Sequence, residues 1–141
     1  MVVLDQSKNG CMHRELHIGP EPIDEASLLK ARLRPTDMGA RIYFAGVVRG
    51  SEANAPIAGL HYEAFHSMAT HQFELLFREI ESRWPIHSIR LVHRIGPVLA
   101  GEASLWVEVI APHRGEAFAA CQFLIDEMKK RVPIWKKTLP I

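Results

Sequence analysis

The sequence lacks the features that define several protein classes. Its 141 residues carry 17 Lys and Arg against 16 Asp and Glu, a formal net charge of +1, whereas a nucleic-acid-binding domain is usually strongly basic. Its two cysteines, Cys11 and Cys121, are far apart and form no C-x-x-C pair, which argues against a disulfide framework and against a zinc knuckle. We therefore expect no nucleic-acid partner, no metal and no cofactor.

No segment has the character of a membrane span or an export signal. Apolar runs stay well below the roughly 18 residues that cross a membrane, and the N-terminal segment MVVLDQSKNGCMHRE is too polar for a signal peptide. The segment GPVLAG has neither the spacing nor the lysine of a phosphate-binding loop. We expect a cytoplasmic soluble protein with one domain, residues 1–141, in which residues 1–12 are flexible.

Hydrophobic patterns predict an α+β fold with a mainly antiparallel sheet and three helices. Two pairs of adjacent strands have no helix between them, which argues against a purely parallel βαβ fold. The loop at 50–56 is rich in turn-forming residues and is expected to be mobile. The predicted strands cover 14–19, 39–49, 57–65, 86–96 and 102–112, and the predicted helices cover 23–33, 67–83 and 114–131. The core stripe of the last helix is predicted to be Phe118, Cys121, Leu124, Ile125 and Met128.

The densest group of cations is the stretch KKRVPIWKK, residues 129–137. Its first three cations are explained by an ordinary role, since cations in the last turn of a helix complement the helix dipole. That role does not explain the apolar residues 132–135, which stiffen the backbone just before two further lysines. We therefore expect Lys136 to be held in a fixed position.

Two other cationic positions also lie at the ends of predicted elements. Arg49 closes a strand, and His113-Arg114 precedes the last helix, where the unpaired N–H groups and the dipole favour anions. Each has an ordinary surface interpretation as well. The last helix is about 24 Å long at 1.5 Å per residue, so His113-Arg114 and Lys129 lie at its opposite ends. The two ends of this helix can contact the same small ligand only in a two-fold dimer, where the start of one helix approaches the end of the helix of the other chain.

Other polar groups give weaker signals. His61, His66 and His71 recur every five residues, which does not define one helix face, so a metal site is disfavoured. His93-Arg94 lies within a predicted strand, and a structural pairing is the favoured interpretation.

Four blocks of the sequence follow one another in the order found in the large, catalytic subunit of molybdopterin synthase. The blocks are GARIYFAGVVR, HYEAFHSMA, HRIGPVLAGE and APHRGEAFAACQFLIDEMKKRVPIWKK. The resemblance spans residues 14–137. Its most specific part is 113–137, where HR, AF, a D-x-x-K helix and P-[IF]-W-K occur in series.

The resemblance implies an α/β hammerhead fold that dimerises through this large subunit, as a homodimer within a heterotetramer. It implies a sulfurtransferase that converts precursor Z, the cyclic pyranopterin monophosphate, into the dithiolene of molybdopterin. The sulfur is expected on the Gly-Gly C-terminus of a small ubiquitin-like subunit, as a thiocarboxylate. A localised group of cations suits this chemistry, because both the phosphate and the thiocarboxylate are anions.

The resemblance also implies which residues form the site. The catalytic lysines of the family fall on Lys129 and Lys136, and the sequence does not separate their roles. His113 and Arg114 are expected to come from the neighbouring subunit. The implied substrate-binding residues are Val47, Val48, Arg49, His113, Arg114, Lys137 and Thr138, and the implied pocket wall includes Phe44 and Ile125.

Two departures from the family pattern leave a second hypothesis open. Thr138 occupies a position where the family usually has Glu, and relatives continue past the position of Ile141 with a tail that contains Trp and Arg. The competing hypothesis is a non-catalytic paralogue that binds a ubiquitin-like tail or a pterin phosphate. Lys129 and Lys136 argue against it, since a binder does not need both.

Overall fold

The computed structural model describes residues 12–141. Within them the chain forms nine strands and three helices. These elements are β1 (His13–Gly19), α1 (Glu25–Lys30), β2 (Ala40–Val47), β3 (Ser51–Glu52), β4 (Ala55–Pro56), β5 (Gly59–Ala64), α2 (His66–Arg83), β6 (Ser88–Arg94), β7 (Gly96–Leu99), β8 (Ala103–Ala111), α3 (Arg114–Arg131) and β9 (Ile134–Leu139).

A four-stranded sheet in the order β1-β6-β8-β2 carries the main core. β1 runs parallel to β6, whereas β6 with β8 and β8 with β2 are antiparallel. All of β8 from Ser104 to Ala111 is buried, and Val107 and Val109 are fully buried in the main core with residues of the helices. β2 is the last strand of the order, so one of its edges has no partner within the described chain.

Helices α2 and α3 cover one face of this sheet. The buried side chains of α2 recur at helical spacing, at Ala69, Phe73, Leu76, Phe77 and Ile80. The buried side chains of α3 are Ala117, Ala120, Cys121, Leu124 and Met128. Burial raises the pKa of the Cys121 thiol, which keeps the thiol neutral and agrees with an inert core role.

A second sheet in the order β7-β5-β9 encloses a smaller core of Val48, Ile57, Leu60 and Val98. β5 is its central strand and pairs antiparallel with both neighbours. The short hairpin of β3 and β4 follows β2 of the first sheet and precedes β5 of the second sheet along the chain.

The α+β class, the three helices and the mainly antiparallel pairing are confirmed, and several details differ from the predictions. Phe118 was predicted on the core stripe of α3 but is 58% exposed, because the small side chains of Ala117 and Ala120 face the sheet instead. Helix α1 is shorter than 23–33. Its N-cap is Asp24, and none of its residues is buried, so packing does not extend it.

Three segments that were predicted as loops or as irregular chain form strands. The segment 50–56 contains the β3–β4 hairpin, and 96–99 forms β7. The last four residues of KKRVPIWKK, 134–137, belong to β9. The flexible segment predicted at 1–12 lies outside the described residues except for Met12, which is 3% exposed and donates its N–H to Glu81 at 2.9 Å.

No helix in the described part of the chain is long and apolar enough to cross a membrane. Among residues 12–141, no three or more His, Cys, Asp or Glu side chains are grouped so that they could hold a metal ion.

Candidate functional site

A cavity of about 580 Å³ lies where the C-terminal end of α3 meets β2 and the second sheet. Seven of the residues implied by the resemblance line it, namely Phe44, Val47, Val48, Arg49, Ile125, Lys129 and Lys136. Residues that were not predicted as site residues also line it, among them Gly46, Glu52, Tyr62, His93, Ser104 and Trp135. A volume of this size accommodates a small molecule.

Lys129 reaches the cavity from the last turn of α3. Ile125, Met128 and Val132 line the cavity with it, and these positions share one side of a helix. The helix ends directly afterwards, since the N–H of Val132 bonds to Met128 at 3.0 Å and Pro133 has no N–H to continue the pattern. Lys129 is exposed, and no carboxylate within residues 12–141 pairs with it.

Lys136 reaches the same cavity from β9. It lies directly opposite Tyr62 of β5, and both side chains line the cavity. Its Nζ atom is 3.8 Å from Oε1 of Glu52. We predicted that Lys136 is held in a fixed position. Its backbone lies in β9, which hydrogen-bonds to β5, the central strand of the second sheet, and this agrees with the prediction.

Lys137 and Thr138 do not line this cavity. Side chains alternate along a strand, so Lys137 projects from the face opposite to Lys136. Its Nζ atom is 3.7 Å from Oε1 of Glu63. The other oxygen of Glu63, Oε2, accepts a 3.1 Å hydrogen bond from the indole N–H of Trp135. Thr138 lies opposite Leu60 and is exposed. Their predicted part in substrate binding stays a prediction.

Arg49 follows the anchored end of β2. Val48 is 3% exposed. It donates its N–H to Glu102 at 2.9 Å and accepts from Gly101 at 2.8 Å, which fixes the chain just before the arginine. The Arg49 side chain is exposed, and within the described residues it makes no ion pair. Arg49, Lys129 and Lys136 therefore give the cavity three cations against one acid, Glu52.

A polar network lines another part of the cavity. The Tyr62 hydroxyl donates to Ser104 at 3.2 Å, and the edge of the Tyr62 ring meets His93, with ring centroids 5.2 Å apart. Nδ1 of His93 donates to the carbonyl of Arg94 at 2.7 Å. Burial lowers the pKa of His93, and this hydrogen bond offsets only part of the effect. His93 is therefore neutral at physiological pH and adds no fourth cation.

His113 and Arg114 are not part of this cavity within one chain. They lie at the start of α3, whose 18 residues span roughly 27 Å. Nδ1 of His113 is 2.8 Å from Oε1 of Glu116. Arg114 is exposed and has no ion-pair partner in the described part of the chain. The predicted separation of the two ends of this helix is thus confirmed.

Sequence reasoning missed Glu52, Tyr62 and Ser104. Glu52 carried one usable signal, since it is the only acidic residue in the turn-rich segment that follows Arg49. The other two belong to strands whose pairing brings distant residues together, and no local pattern indicates that.

Comparison with known proteins identifies the family. The family model described as MoaE protein matches residues 18–131. The molybdopterin synthase catalytic subunit of Vibrio cholerae serotype O1 is 34% identical over 128 residues, which cover 91% of this chain and 85% of that protein. The corresponding subunit of Thermoplasma volcanium is 39% identical over 108 residues, which cover 77% of this chain and 79% of that protein.

Solved structures agree with this result. Molybdopterin synthase from Staphylococcus aureus superposes with a TM-score of 0.80 at 32% identity, covering 89% of this chain and 90% of that chain. The complex of subunits 1 and 2 of the molybdopterin-converting factor from Helicobacter pylori shares the fold, with a TM-score of 0.68 at 24% identity over 90% of this chain and 88% of that chain. The chain therefore belongs to the MoaE family of molybdopterin synthase catalytic subunits.

Proposed function

We propose that the 580 Å³ cavity is the active site of a sulfurtransferase that forms the molybdopterin dithiolene from precursor Z. The sulfur comes from the thiocarboxylated Gly-Gly C-terminus of a small ubiquitin-like subunit, and the reaction takes place in the cytoplasm. The observation that carries this proposal is the convergence of Arg49, Lys129 and Lys136 on one cavity in a protein of net charge +1.

The cations suit the two anions that the reaction brings together. Arg49 offers a planar, bidentate group for a phosphate or a carboxylate. Lys129 and Lys136 are the groups that neutralise the thiocarboxylate, stabilise charge on the acyl oxygen and move protons. In each of two transfers, the thiocarboxylate sulfur forms a bond to a substrate carbon while an oxygen substituent of that carbon leaves, as water or as a phosphate oxygen, and water then cleaves the bond between the acyl carbon and sulfur. Each donor tail leaves as a carboxylate, so one dithiolene consumes two thiocarboxylates.

The donor tail needs an extended path into the cavity. The β3–β4 hairpin and β9 border the cavity through Glu52, Trp135 and Lys136. A Gly-Gly segment is narrow enough to pass between these elements because glycine has no side chain. The related H. pylori structure is a complex of two subunits, which supports a small partner for this chain.

The substrate site is shared between two copies of the chain. The N–H of Gly39 donates to Pro112 at 3.0 Å, so the start of β2 lies beside the start of α3. The other end of β2 carries Phe44 and Val47 into the cavity. β2 spans roughly 25 Å, about the length of α3.

Antiparallel pairing of two β2 edges about a two-fold axis therefore brings His113 and Arg114 of the partner subunit to the cavity. The exposed apolar side chains of this edge support the pairing, with Tyr43 39%, Phe44 37% and Val47 53% exposed. The assembly that follows is a homodimer with one small subunit at each cavity, a heterotetramer.

The decisive experiment incubates the chain with precursor Z and the thiocarboxylated small subunit, and detects the sulfur-containing pterin by mass spectrometry. The control is the same small subunit with an ordinary carboxylate terminus, which gives no product. Binding of the thiocarboxylated subunit without product would instead identify the non-catalytic paralogue, which the neutral Thr138 favours.

A further inference from the structure

The segment that follows Arg49 carries an acidic side chain into the cavity on a defined turn. β3 and β4 pair as a two-residue hairpin, in which Ser51 lies opposite Pro56 and Glu52 opposite Ala55. The two central residues, Ala53 and Asn54, have φ angles of 49° and 64°, the left-handed geometry that matches the twist of a tight hairpin. The N–H of Ile57 donates to Gly50 at 3.0 Å and closes the hairpin at its base.

Glu52 pairs with only one of the three cations that line the cavity, Lys136. It is the only acidic side chain among the cavity-lining residues of the described chain, and its carboxylate is 3.8 Å from the Lys136 ammonium. Arg49 and Lys129 have no ion-pair partner within residues 12–141. Thr138, the next residue on the same side of β9, offers only a neutral hydroxyl.

We infer that Glu52 is a positioning residue for Lys136, which holds the ammonium group at the cavity while Arg49 and Lys129 remain free to bind the incoming anions. This inference rests on the proposed function. It separates the two lysines, whose roles the sequence leaves equivalent. Lys129 contributes uncompensated charge, whereas Lys136 forms an ion pair at 3.8 Å with a carboxylate that limits where its ammonium group can lie.

Glu52 affects the binding of substrate and the rate of turnover in opposite directions. Its negative charge opposes the binding of a phosphate or a thiocarboxylate in the same cavity. Its contact with Lys136 keeps the ammonium in the orientation that the reaction uses. A residue that only maintained the fold would affect both parameters adversely.

The test replaces the carboxylate by an amide of the same shape, in Glu52→Gln. We expect KM for precursor Z to fall about threefold, within the range of one partly exposed charge interaction, and kcat to fall about tenfold. Glu52→Asp retains the charge on a shorter side chain, so KM stays unchanged and kcat falls less than in the amide variant. Circular dichroism and the Tm establish that each variant is folded.

A spectroscopic measurement on the free protein separates this inference from the proposed function. In protein labelled with [15N]lysine, Glu52→Gln shifts the Nζ resonance of Lys136 and leaves that of Lys130 in place. The matched control is Glu127→Gln, which breaks the 3.5 Å pair with Lys130 outside the cavity and shifts only the Lys130 resonance.

The outcomes decide between the two ideas. Lower kcat with lower KM and a shifted Lys136 resonance support the inference. An unmoved Lys136 resonance, an unchanged kcat or a raised KM in Glu52→Gln overturns it, even if the wild type is active. A wild type that forms no product overturns the proposed function, whereas the resonance shifts still report whether Glu52 holds Lys136.

Discussion

Lys129 and Lys136 line one cavity although they belong to different elements, the last turn of α3 and strand β9. Their sequence neighbours, Lys130 and Lys137, do not line it. The geometry of each element explains the difference, since adjacent residues diverge by about 100° around a helix and lie on opposite faces of a strand. The chain thus contains two matched pairs of adjacent lysines, each with one member in the cavity and one outside.

These lysine pairs provide the first test of the site. We expect Lys129→Ala and Lys136→Ala each to lower the rate of dithiolene formation by at least about a hundredfold, as loss of a catalytic charge or proton donor does. Lys130→Ala removes the same charge outside the cavity and is expected to stay within about twofold of the wild type. Single-turnover assays with excess thiocarboxylated partner measure the rates. A loss in Lys130→Ala equal to that in Lys129→Ala would contradict a localised site.

The sequence placed Lys129 and Arg49 at the ends of predicted elements, and the structure brings both residues to one cavity. Local patterns indicate such ends. The pair formed by Glu52 and Lys136 depends on a hairpin and on the pairing of β5 with β9, which joins residues 70 to 80 positions apart along the chain. Periodicity within a short window carries no information about such a pairing.

The missed strands share a physical cause. Pro97 in β7 and the two lysines in β9 are residues that strands disfavour. Both strands lie at the edges of the second sheet, where a proline and charged side chains are tolerated because one side is open. β2 and β8 of the four-stranded sheet were easier to predict, since β-branched and aromatic residues recur along both strands.

The proposal that the site is shared between two chains predicts complementation between two inactive variants. Arg114→Ala impairs substrate binding and Lys129→Ala impairs chemistry, and each homodimer is inactive. In a reassociated equal mixture, half of the dimers are mixed and one of their two cavities is intact, so about a quarter of the wild-type activity returns. Assays of mixtures after dissociation and reassembly measure this recovery.

The control mixture combines Arg114→Ala with His113→Ala. Both residues belong to the same contributing end, so every cavity contains one defect and no activity returns. Absence of recovery in the first mixture as well would place all of the required residues in a single chain.

The exposed edge of β2 predicts where the dimer forms. Ala45 is an exposed residue of β2, and its register partner is Trp106 of β8. We expect Ala45→Glu to weaken dimerisation at least about tenfold, because like charges then face each other near the two-fold axis. Sedimentation velocity measures the oligomeric state, and activity is expected to fall in parallel. Ala26→Glu, on the exposed helix α1, is the control and leaves the dimer intact.

A buried ion pair outside the cavity predicts a large effect on stability. Glu108 is 1% exposed and accepts two hydrogen bonds from Arg90, at 2.7 and 2.8 Å. Burial alone lowers the pKa of Arg90, but the Glu108 hydrogen bonds and charge raise it overall. Glu108→Ala removes the buried carboxylate from the guanidinium, which then keeps only its hydrogen bond to the Leu28 carbonyl and the Glu15 carboxylate at 3.9 Å. The change is expected to lower the free energy of unfolding by about 3–5 kcal/mol.

Urea denaturation measures this loss. The control is Glu74→Ala, which breaks the 3.3 Å pair with Arg78 on the surface of α2 and is expected to cost less than about 1 kcal/mol. Similar losses in the two variants would show that the buried pair contributes no more than a surface pair.

His93 predicts a change of stability with pH. Its folded-state pKa is lowered by burial from the ordinary value of 6.5, against the smaller raising effect of its bond to Arg94. Above about pH 6.5 the side chain is neutral in both states and adds no pH dependence. As the pH falls below 6.5, the unfolded chain takes up a proton that the folded protein excludes. The free energy of unfolding therefore decreases, by at most about 1.4 kcal/mol per pH unit, until the folded-state pKa is reached.

The measurement compares urea denaturation of the wild type and of His93→Gln between pH 7.5 and 5. Glutamine does not titrate, so we expect the decrease between pH 6.5 and 5 to be smaller in the variant by the contribution of this one residue. Equal slopes in the wild type and in His93→Gln would mean that His93 takes up its proton in the folded protein as readily as in the unfolded chain, and that the cavity admits a fourth cation in mild acid.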